Sequence, residues 1–210
     1  MSTVLDNPTV PVPEAFAERI SFDEFLARYS DGSHVEWVGG EVIPMAAASL
    51  PHFRLTLFLA TLLKRFTKDH ALGEIAGDPY VMKLGPGLPG RAPDVAFVAT
   101  THLARMHTNF LDGPADLAIE VVSPDDPNRD YVTKFQEYEA AGVPEYWIID
   151  PRLQYAAFYQ LEDGKYHEVL PDGNGVYRSA QLPGLWLRVA WLWQDPLPDE
   201  FDVYREWKLI

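Results

Sequence analysis

The sequence predicts an α/β (α+β) fold, in which a mixed central sheet is flanked by helices and followed by an antiparallel C-terminal meander. The runs 95–98 and 115–122 are too continuously apolar for half-exposed strands, which is typical of the centre of a sheet. A helical pattern over 128–141 then leads to another apolar run at 145–150. Because short links join strand, helix and strand, we expect a parallel pair with a crossover. After Pro151, short strand patterns alternate with Gly and Asp turns.

Composition indicates one globular domain. The 210 residues are 47% hydrophobic, enough for a sizeable core, and contain no cysteine, which excludes disulfides and thiolate metal sites. Residues 1–19 are predicted to form an N-terminal arm, and 20–210 a single domain. The start of the chain lacks the pattern of a signal peptide, and no apolar run approaches the roughly 18 residues of a membrane span. We therefore expect a soluble cytoplasmic protein.

The charge balance limits the choice of partners. With 31 acidic and 17 basic residues, the formal net charge is -14. An acidic surface repels phosphate at long range, which argues against tight, non-specific DNA binding. A local basic cluster or a bound divalent ion can still reverse the field inside one cleft.

Three patterns predict the elements around the central sheet. Ser21 and Glu24 form a capping box that starts a short helix ending at about Tyr29. Gly39-Gly40 separates two short strand patterns and favours a β-hairpin. From His52 to about Asp69, apolar residues recur with helical spacing, and this helix is long enough to cover one side of the sheet.

Two acidic residues emerge from apolar runs. Glu120 lies inside the run 117–122, where a carboxylate is costly to bury unless it is paired or bound to a metal. Asp94 follows Pro93 at the start of a strand, where it could also be an ordinary turn residue. Two carboxylates and the Val121 carbonyl would supply oxygen ligands for a hard ion such as Mg²⁺, and a nearby lysine could stabilise developing negative charge.

These residues, in this order, resemble the PD-(D/E)XK nuclease superfamily, and residues 22–150 are similar to its Uma-two branch of restriction endonucleases. The resemblance implies a restriction-endonuclease-like fold and Mg²⁺- or Mn²⁺-dependent hydrolysis of nucleic-acid phosphodiester bonds, with DNA favoured over RNA. It makes Asp94 and Glu120 catalytic residues and, with Val121, metal ligands. The motifs that carry it are the hairpin Glu36 to Glu41, His52, Arg91-Ala92-Pro93-Asp94, residues 119–124, Lys134 to Tyr138, Gly142-Val143 and residues 145–151.

One position departs from the superfamily pattern. A lysine is expected two residues after the glutamate, and Val122 stands there. The resemblance implies that Lys134, on the following helix, supplies the ammonium as in members with a migrated lysine. Spacing alone offers a different interpretation, because Asp130 and Lys134 are four apart with the acid first, as in an ordinary surface pair on a helix.

Other residues are candidates for accessory roles. Glu36 lies either on the solvent face of the hairpin or toward the metal as a third acid. Tyr138 fits a core stripe, although its hydroxyl could line the site. Lys83 and Arg91 flank a Gly- and Pro-rich loop and could contact phosphate, or remain solvated. We expect His52 to be a helix-start or loop residue rather than a ligand, because no partner histidine has metal-site spacing.

Three functions remain open from the sequence. The leading one is a Mg²⁺-dependent endonuclease, and the second is a catalytically lapsed member of the same fold that acts as an oligomeric accessory protein. The third is a hydrolase of small phosphate esters, which the acidic surface suits better. Aromatic residues after 190, with Trp191, Trp193 and Trp207, cap the core or mediate contacts in a homo-oligomer, most simply a dimer.

Overall fold

A computed structural model of the chain describes residues 19–29, 33–45 and 48–210. The predicted N-terminal arm lies outside these residues except for Arg19. In chain order the elements are α1 (Phe22–Tyr29), β1 (Val35–Val38), β2 (Glu41–Pro44), α2 (Leu50–Asp69), β3 (Gly73–Ala76), β4 (Val81–Lys83), β5 (Gly90–Arg91), β6 (Val95–Ala99), β7 (Phe110–Asp112), β8 (Leu117–Val121), α3 (Phe135–Ala141), β9 (Glu145–Asp150), β10 (Tyr155–Glu162), β11 (Lys165–Glu168), β12 (Val176–Arg178), β13 (Trp186–Arg188) and α4 (Glu200–Glu206).

The central sheet is mixed, as predicted. Its six strands follow the order β11-β10-β9-β8-β6-β3. β8 and β9 are parallel, and the other neighbours are antiparallel. Every residue of β8 and β9 is buried, which confirms that these apolar runs form the centre of the sheet.

Side chains alternate between the two faces of β8. Leu117, Ile119 and Val121 pack in the core that includes α2. Ala118 and Val122 pack in the core that includes Tyr138 of α3. Since Glu120 shares the parity of these two residues, the pleat directs its carboxylate toward α3.

A second sheet packs beside the first and brings further polar residues toward it. Its strand order is β2-β1-β5-β4-β7. Gly39 and Gly40, with φ of +59° and +95°, form the predicted turn between β1 and β2. Glu36 lies on β1, and Arg91 ends β5. This sheet also packs on α1, whose capping box forms as expected, because the Ser21 N–H donates to Glu24 and the Glu24 N–H to the Ser21 hydroxyl.

The C-terminal strands are antiparallel, with two differences from the expected meander. β10 and β11 extend the central sheet, and only β12 and β13 form a separate antiparallel pair. The sequence pattern over 176–189 predicts one continuous strand, and this prediction is wrong, because the chain between β12 and β13 binds the Glu145 carboxylate through Ser179 and two backbone N–H groups.

The tryptophans near the C-terminus cap the core. Trp191 and Trp207 are buried in the cluster that contains α2, and the Trp207 ring meets that of Phe66 at 5.5 Å between centroids. An oligomer interface therefore cannot be argued from these two side chains. Among the described residues, no helix combines the length and the apolar character needed to cross a membrane.

The helix predicted over 128–141 has two parts. Arg129–Lys134 is a π-helical turn, and α3 follows it directly. Gly142, with φ of +81°, ends α3 in the left-handed conformation that a residue with a Cβ rarely adopts. π-Helical turns are frequent at functional sites, and this one carries both Asp130 and Lys134.

Candidate active site

Asp94 lies between β5 and β6, at the end of the sheet where β8 finishes. Its Oδ2 accepts a hydrogen bond of 2.7 Å from the Val121 backbone N–H. The same oxygen lies 3.2 Å from Nε2 of His52 in the first turn of α2. The residue therefore links the start of β6 to the end of β8, as a turn aspartate can, and also faces the cavity described below.

Glu120 projects from β8 into the interior and is 2% exposed. Its Oε2 accepts from Nζ of Lys134 at 2.8 Å, and its Oε1 accepts from the Tyr138 hydroxyl at 2.6 Å. Burial raises the pKa of Glu120 to about 8, although the Lys134 charge opposes that rise. Burial likewise raises the pKa of Tyr138 well above its ordinary value, so this hydroxyl acts as a donor.

Lys134 reaches the position beside Glu120 from the π-helical turn. Its Nζ also lies 3.4 Å from Asp130 and 3.6 Å from Glu36. Burial lowers the pKa of Lys134, but the surrounding carboxylates outweigh burial and raise it above the ordinary value, so the ammonium stays charged. The pair of Asp130 and Lys134 exists, yet both residues are 2% exposed and the pair is internal.

Glu36 is fully buried, so the solvent-face interpretation of this residue is wrong. Its Oε2 accepts from Nη1 of Arg91 at 2.6 Å. Burial raises the pKa of Glu36, but the charges of Lys134 and Arg91 outweigh burial and leave it below the ordinary value. Arg91 also donates through Nε and Nη2 to Glu137 of α3, at 2.7 and 2.8 Å. This network joins the second sheet to α3 behind Lys134.

The structure places the two proposed phosphate contacts away from the site. The Arg91 side chain is 4% exposed and its donors are engaged by Glu36 and Glu137, so it is not available to an external anion. Lys83 lies over the Phe22 ring, with Nζ 5.0 Å from the centroid, and does not line the cavity at Asp94.

Asp94, Glu120 and Lys134 line one small cavity of about 40 Å³. It opens beside a wider groove of about 570 Å³, which also touches Asp94 and His52. Among the residues that line the small cavity are four that the sequence did not single out as site residues, namely His34, Asp78, Arg129 and Asp130. Helical spacing offered a signal for Asp130 but not for the other three, because Asp130, Lys134 and Tyr138 are four apart and lie on the side of the helix that faces Glu120.

Negative charge accumulates around the cavity. Burial raises the pKa of Asp78 and of Asp130, as it does for Glu120. Burial lowers the pKa of His52, but the hydrogen bond to Asp94 and the charges of Asp94 and Asp130 together outweigh burial and hold it above the ordinary value. Four carboxylates line the cavity with two permanently charged side chains, Lys134 and Arg129, which favours a protonated acid or a bound positive ion.

The residues present fit a hard divalent ion. In the described part of the chain, no three His, Asp or Glu side chains form a ready-made metal cluster. Two carboxylates, Asp94 and Glu120, and the carbonyl of Val121 are nevertheless oxygen donors of the kind that Mg²⁺ and Mn²⁺ prefer, and Mg²⁺ commonly takes its remaining ligands from water and phosphate. The acidic cavity is consistent with that donor set.

Comparison with known proteins agrees with this fold. The family model "Uma2: Putative restriction endonuclease" matches residues 22–190. The chain therefore belongs to the Uma2 family, which the sequence resemblance indicated. Its match covers every candidate site residue.

A solved structure is also similar. It is a crystal structure described as a "putative nuclease" from Anabaena variabilis, with a TM-score of 0.69 and 17% sequence identity, covering 82% of this chain and 97% of that chain. At this identity the likeness shows the fold, which confirms the restriction-endonuclease-like prediction. No match was found among the curated proteins.

Proposed function

We propose that this chain is a metal-dependent endonuclease that hydrolyses phosphodiester bonds of nucleic acid, DNA in preference to RNA. Family membership supports a nuclease, and the word restriction in the family description supports DNA. In this proposal Asp94, Glu120 and the Val121 carbonyl hold Mg²⁺ or Mn²⁺, and Lys134 stabilises negative charge.

The position of Lys134 carries the proposal. Val122 occupies the place where the superfamily has its lysine, yet the Lys134 ammonium lies 2.8 Å from Glu120. The π-helical turn thus places the Lys134 ammonium beside Glu120. In the superfamily pattern, the lysine two residues after the glutamate would supply this cation. Because the ammonium is buried and stays charged, its interaction with developing charge is weakly screened.

In this proposal the residues have separate roles around the reacting phosphate. When bound, the metal ion lowers the pKa of a coordinated water and neutralises phosphoryl charge. Asp94 and Glu120 would provide carboxylate oxygen ligands, and Tyr138 orients Glu120 by donating to Oε1. Glu36 and Arg91 form the buried support that positions Lys134 on its far side.

Plasmid cleavage tests the proposal. Purified protein should nick supercoiled DNA with Mg²⁺ or Mn²⁺ and lose activity in EDTA, and Asp94→Asn should reduce the rate by at least about 1000-fold, because a metal ligand is lost. Asp116→Asn is the matched control, since Asp116 is a buried carboxylate that binds the Ala99 N–H and His102 elsewhere. Equal activity of Asp94→Asn and the unsubstituted chain would overturn the proposal.

A second function is favoured by one observation. Three carboxylates already surround Lys134, so its charge is largely neutralised within the fold. A family member with such a site could bind metal and partners without turnover, as an oligomeric accessory protein. Plasmid cleavage at a Mn²⁺ concentration that calorimetry shows to be saturating separates the two, because a competent nuclease cleaves there and a lapsed one does not.

A further inference from the structure

Unpaired polar atoms concentrate around the cleft that the small cavity and the adjoining groove form together. Within the described ranges, four buried side-chain polar atoms have no hydrogen-bond partner in the protein: His52 Nδ1, Thr56 Oγ1, Arg105 Nε and Arg129 Nε. Three of these belong to residues that line the small cavity or the groove beside it. Since buried polar groups are almost always paired, this clustering indicates a surface shaped for a polar ligand.

Arg129 is a cation of this site that remains available to bind a ligand. Its Nη1 makes only a weak contact of 3.9 Å with the Met45 sulfur, and its Nε has no partner. It forms no ion pair with another described residue, whereas Lys134 and Arg91 are each held by at least two carboxylates. A planar guanidinium with unpaired donors beside metal-ligating carboxylates suits a phosphate.

An aromatic side chain lines the groove that adjoins the small cavity. Phe53, next to His52 on α2, is 55% exposed and lines the groove of about 570 Å³ with Met45 and Ala48. The groove has the volume of a small-ligand site and an apolar wall. A nucleobase can stack on such a ring only when the base is unstacked from its neighbours.

The overall charge favours the same kind of substrate. Binding of duplex DNA depends on neutralising many phosphates, and the net charge here is -14. One available guanidinium and one exposed ring instead match a single nucleotide unit, with phosphate at one end and base at the other.

We propose that the cleft accepts single-stranded nucleic acid, with Arg129 binding a backbone phosphate and Phe53 stacking on the adjacent base. This deepens the proposed nuclease function by naming its substrate class, and the reaction itself rests on that function. The binding does not rest on it, so binding can be tested without cleavage.

Fluorescence anisotropy with Ca²⁺ in place of Mg²⁺ tests binding directly. A short single-stranded oligonucleotide should bind at least about tenfold more tightly than the same sequence as a duplex. Arg129→Met should weaken single-strand binding about tenfold and reduce the slope of log affinity against log salt by about 0.7, the share of one phosphate on a single strand. Arg129→Lys should lose less, since it keeps the charge without the planar donors.

The ring is tested in the same assay. Phe53→Leu should weaken binding about tenfold, because an aliphatic side chain cannot stack, and Phe53→Trp should restore it. Arg54→Met and Leu57→Ala, exposed positions on the same helix that line neither cavity, are the matched controls and should bind as the unsubstituted chain does.

Three results would overturn the inference: duplex binding as tight as single-strand binding, an equal loss from Arg54→Met and Arg129→Met, or full affinity in Phe53→Leu. A chain that binds as expected but never cleaves would remove the nuclease function and leave this binding mode standing.

Discussion

Two glutamates buried on neighbouring strands have opposite surroundings. Among the residues that the structure describes, the donors to Glu145 of β9 are all uncharged: the Trp147 indole, the Tyr177 and Ser179 hydroxyls, and the Ala180 and Gln181 N–H groups. Glu120 of β8 accepts from a charged lysine and one hydroxyl, beside a cavity rich in other acids. Both are at most 2% exposed.

The comparison shows that burial of a carboxylate does not by itself mark a functional residue. Glu145 is satisfied within the fold, and its bonds fasten the segment 179–181 to the central sheet. Glu120 faces space that a ligand can enter, and burial raises its pKa to about 8. We therefore expect substitutions at Glu145 to change stability alone, and substitutions around Glu120 to change metal binding and the pH dependence of stability.

Removal of the Lys134 charge should have the largest effect. Lys134→Met leaves Glu120, Asp130 and Glu36 buried without their shared cation, which should cost about 3–5 kcal/mol of unfolding free energy at pH 8. The loss should shrink at pH 5, because the carboxylates whose pKa is raised take up protons there. Urea unfolding at the two pH values measures both quantities.

Lys64→Met, at an exposed position of α2, is the control for the lysine and should change the unfolding free energy by less than about 0.5 kcal/mol. If Lys134→Met were as stable as the unsubstituted chain at pH 8, the carboxylates would not depend on this ammonium, and the contrast with Glu145 would fail.

Glu145→Gln and Glu120→Gln should differ in how the free energy of unfolding depends on pH. Glu145→Gln places an NH₂ group among donors and should cost about 2 kcal/mol with Mn²⁺ affinity unchanged. The pKa of Glu120 is raised from 4.5 to about 8, so between these values the folded state holds a proton that the unfolded chain has released. Stability of the metal-free protein should therefore fall as pH rises from 5 to 8, and Glu120→Gln should reduce that fall.

Urea unfolding in EDTA at pH 5, 6, 7 and 8, together with Mn²⁺ calorimetry, measures both variants. Glu120→Gln should lower Mn²⁺ affinity by at least about tenfold. An unchanged pH slope in Glu120→Gln, or a loss of Mn²⁺ affinity in Glu145→Gln, would reverse the roles assigned to the two residues.

Much of the fold follows from local patterns in the sequence. The capping box at Ser21, the turn at Gly39-Gly40 and the buried runs of β8 and β9 each depend on neighbouring residues, and each appears in the structure. The segment 179–181 could not be predicted in the same way, because it departs from a strand in order to bind Glu145, which lies more than 30 positions earlier.

The sequence predicted the acidic residues Asp94 and Glu120 of the site but not the residues that pack around them. Glu120 is conspicuous as a carboxylate within an apolar run, whereas Asp78 and Arg129 carry no local signal and the pattern around His52 predicted only a helix-start or loop residue. They meet Asp94 or its cavity only through packing of α2, the loop before β4 and the π-helical turn. The burial of Glu36 likewise depends on Arg91, 55 positions away, so strand alternation could not decide its face.

The smallest expected effects come from removing one tyrosine hydroxyl beside each of the two glutamates. Tyr138 donates to Glu120 at 2.6 Å, and Tyr177 donates to Glu145 at 2.7 Å. Each Tyr→Phe change removes one donor to a buried carboxylate and should cost about 1 kcal/mol of unfolding free energy. Glu145 retains four other donors, so Tyr177→Phe should leave Mn²⁺ affinity unchanged.

Of the donors in the described part of the chain, Glu120 then retains Lys134 alone, so Tyr138→Phe leaves Oε1 without its donor beside the proposed metal position. Loss of that bond frees the carboxylate to rotate and removes a donor that stabilises its ionised form, so Mn²⁺ affinity at pH 7 should fall about 10-fold, within the range for lost supporting hydrogen bonds. It should recover as pH is raised and Glu120 ionises. Calorimetry of both variants at pH 7 and pH 8.5 measures the difference, and equal Mn²⁺ affinities for Tyr138→Phe and Tyr177→Phe would mean that Glu120 does not bind the ion.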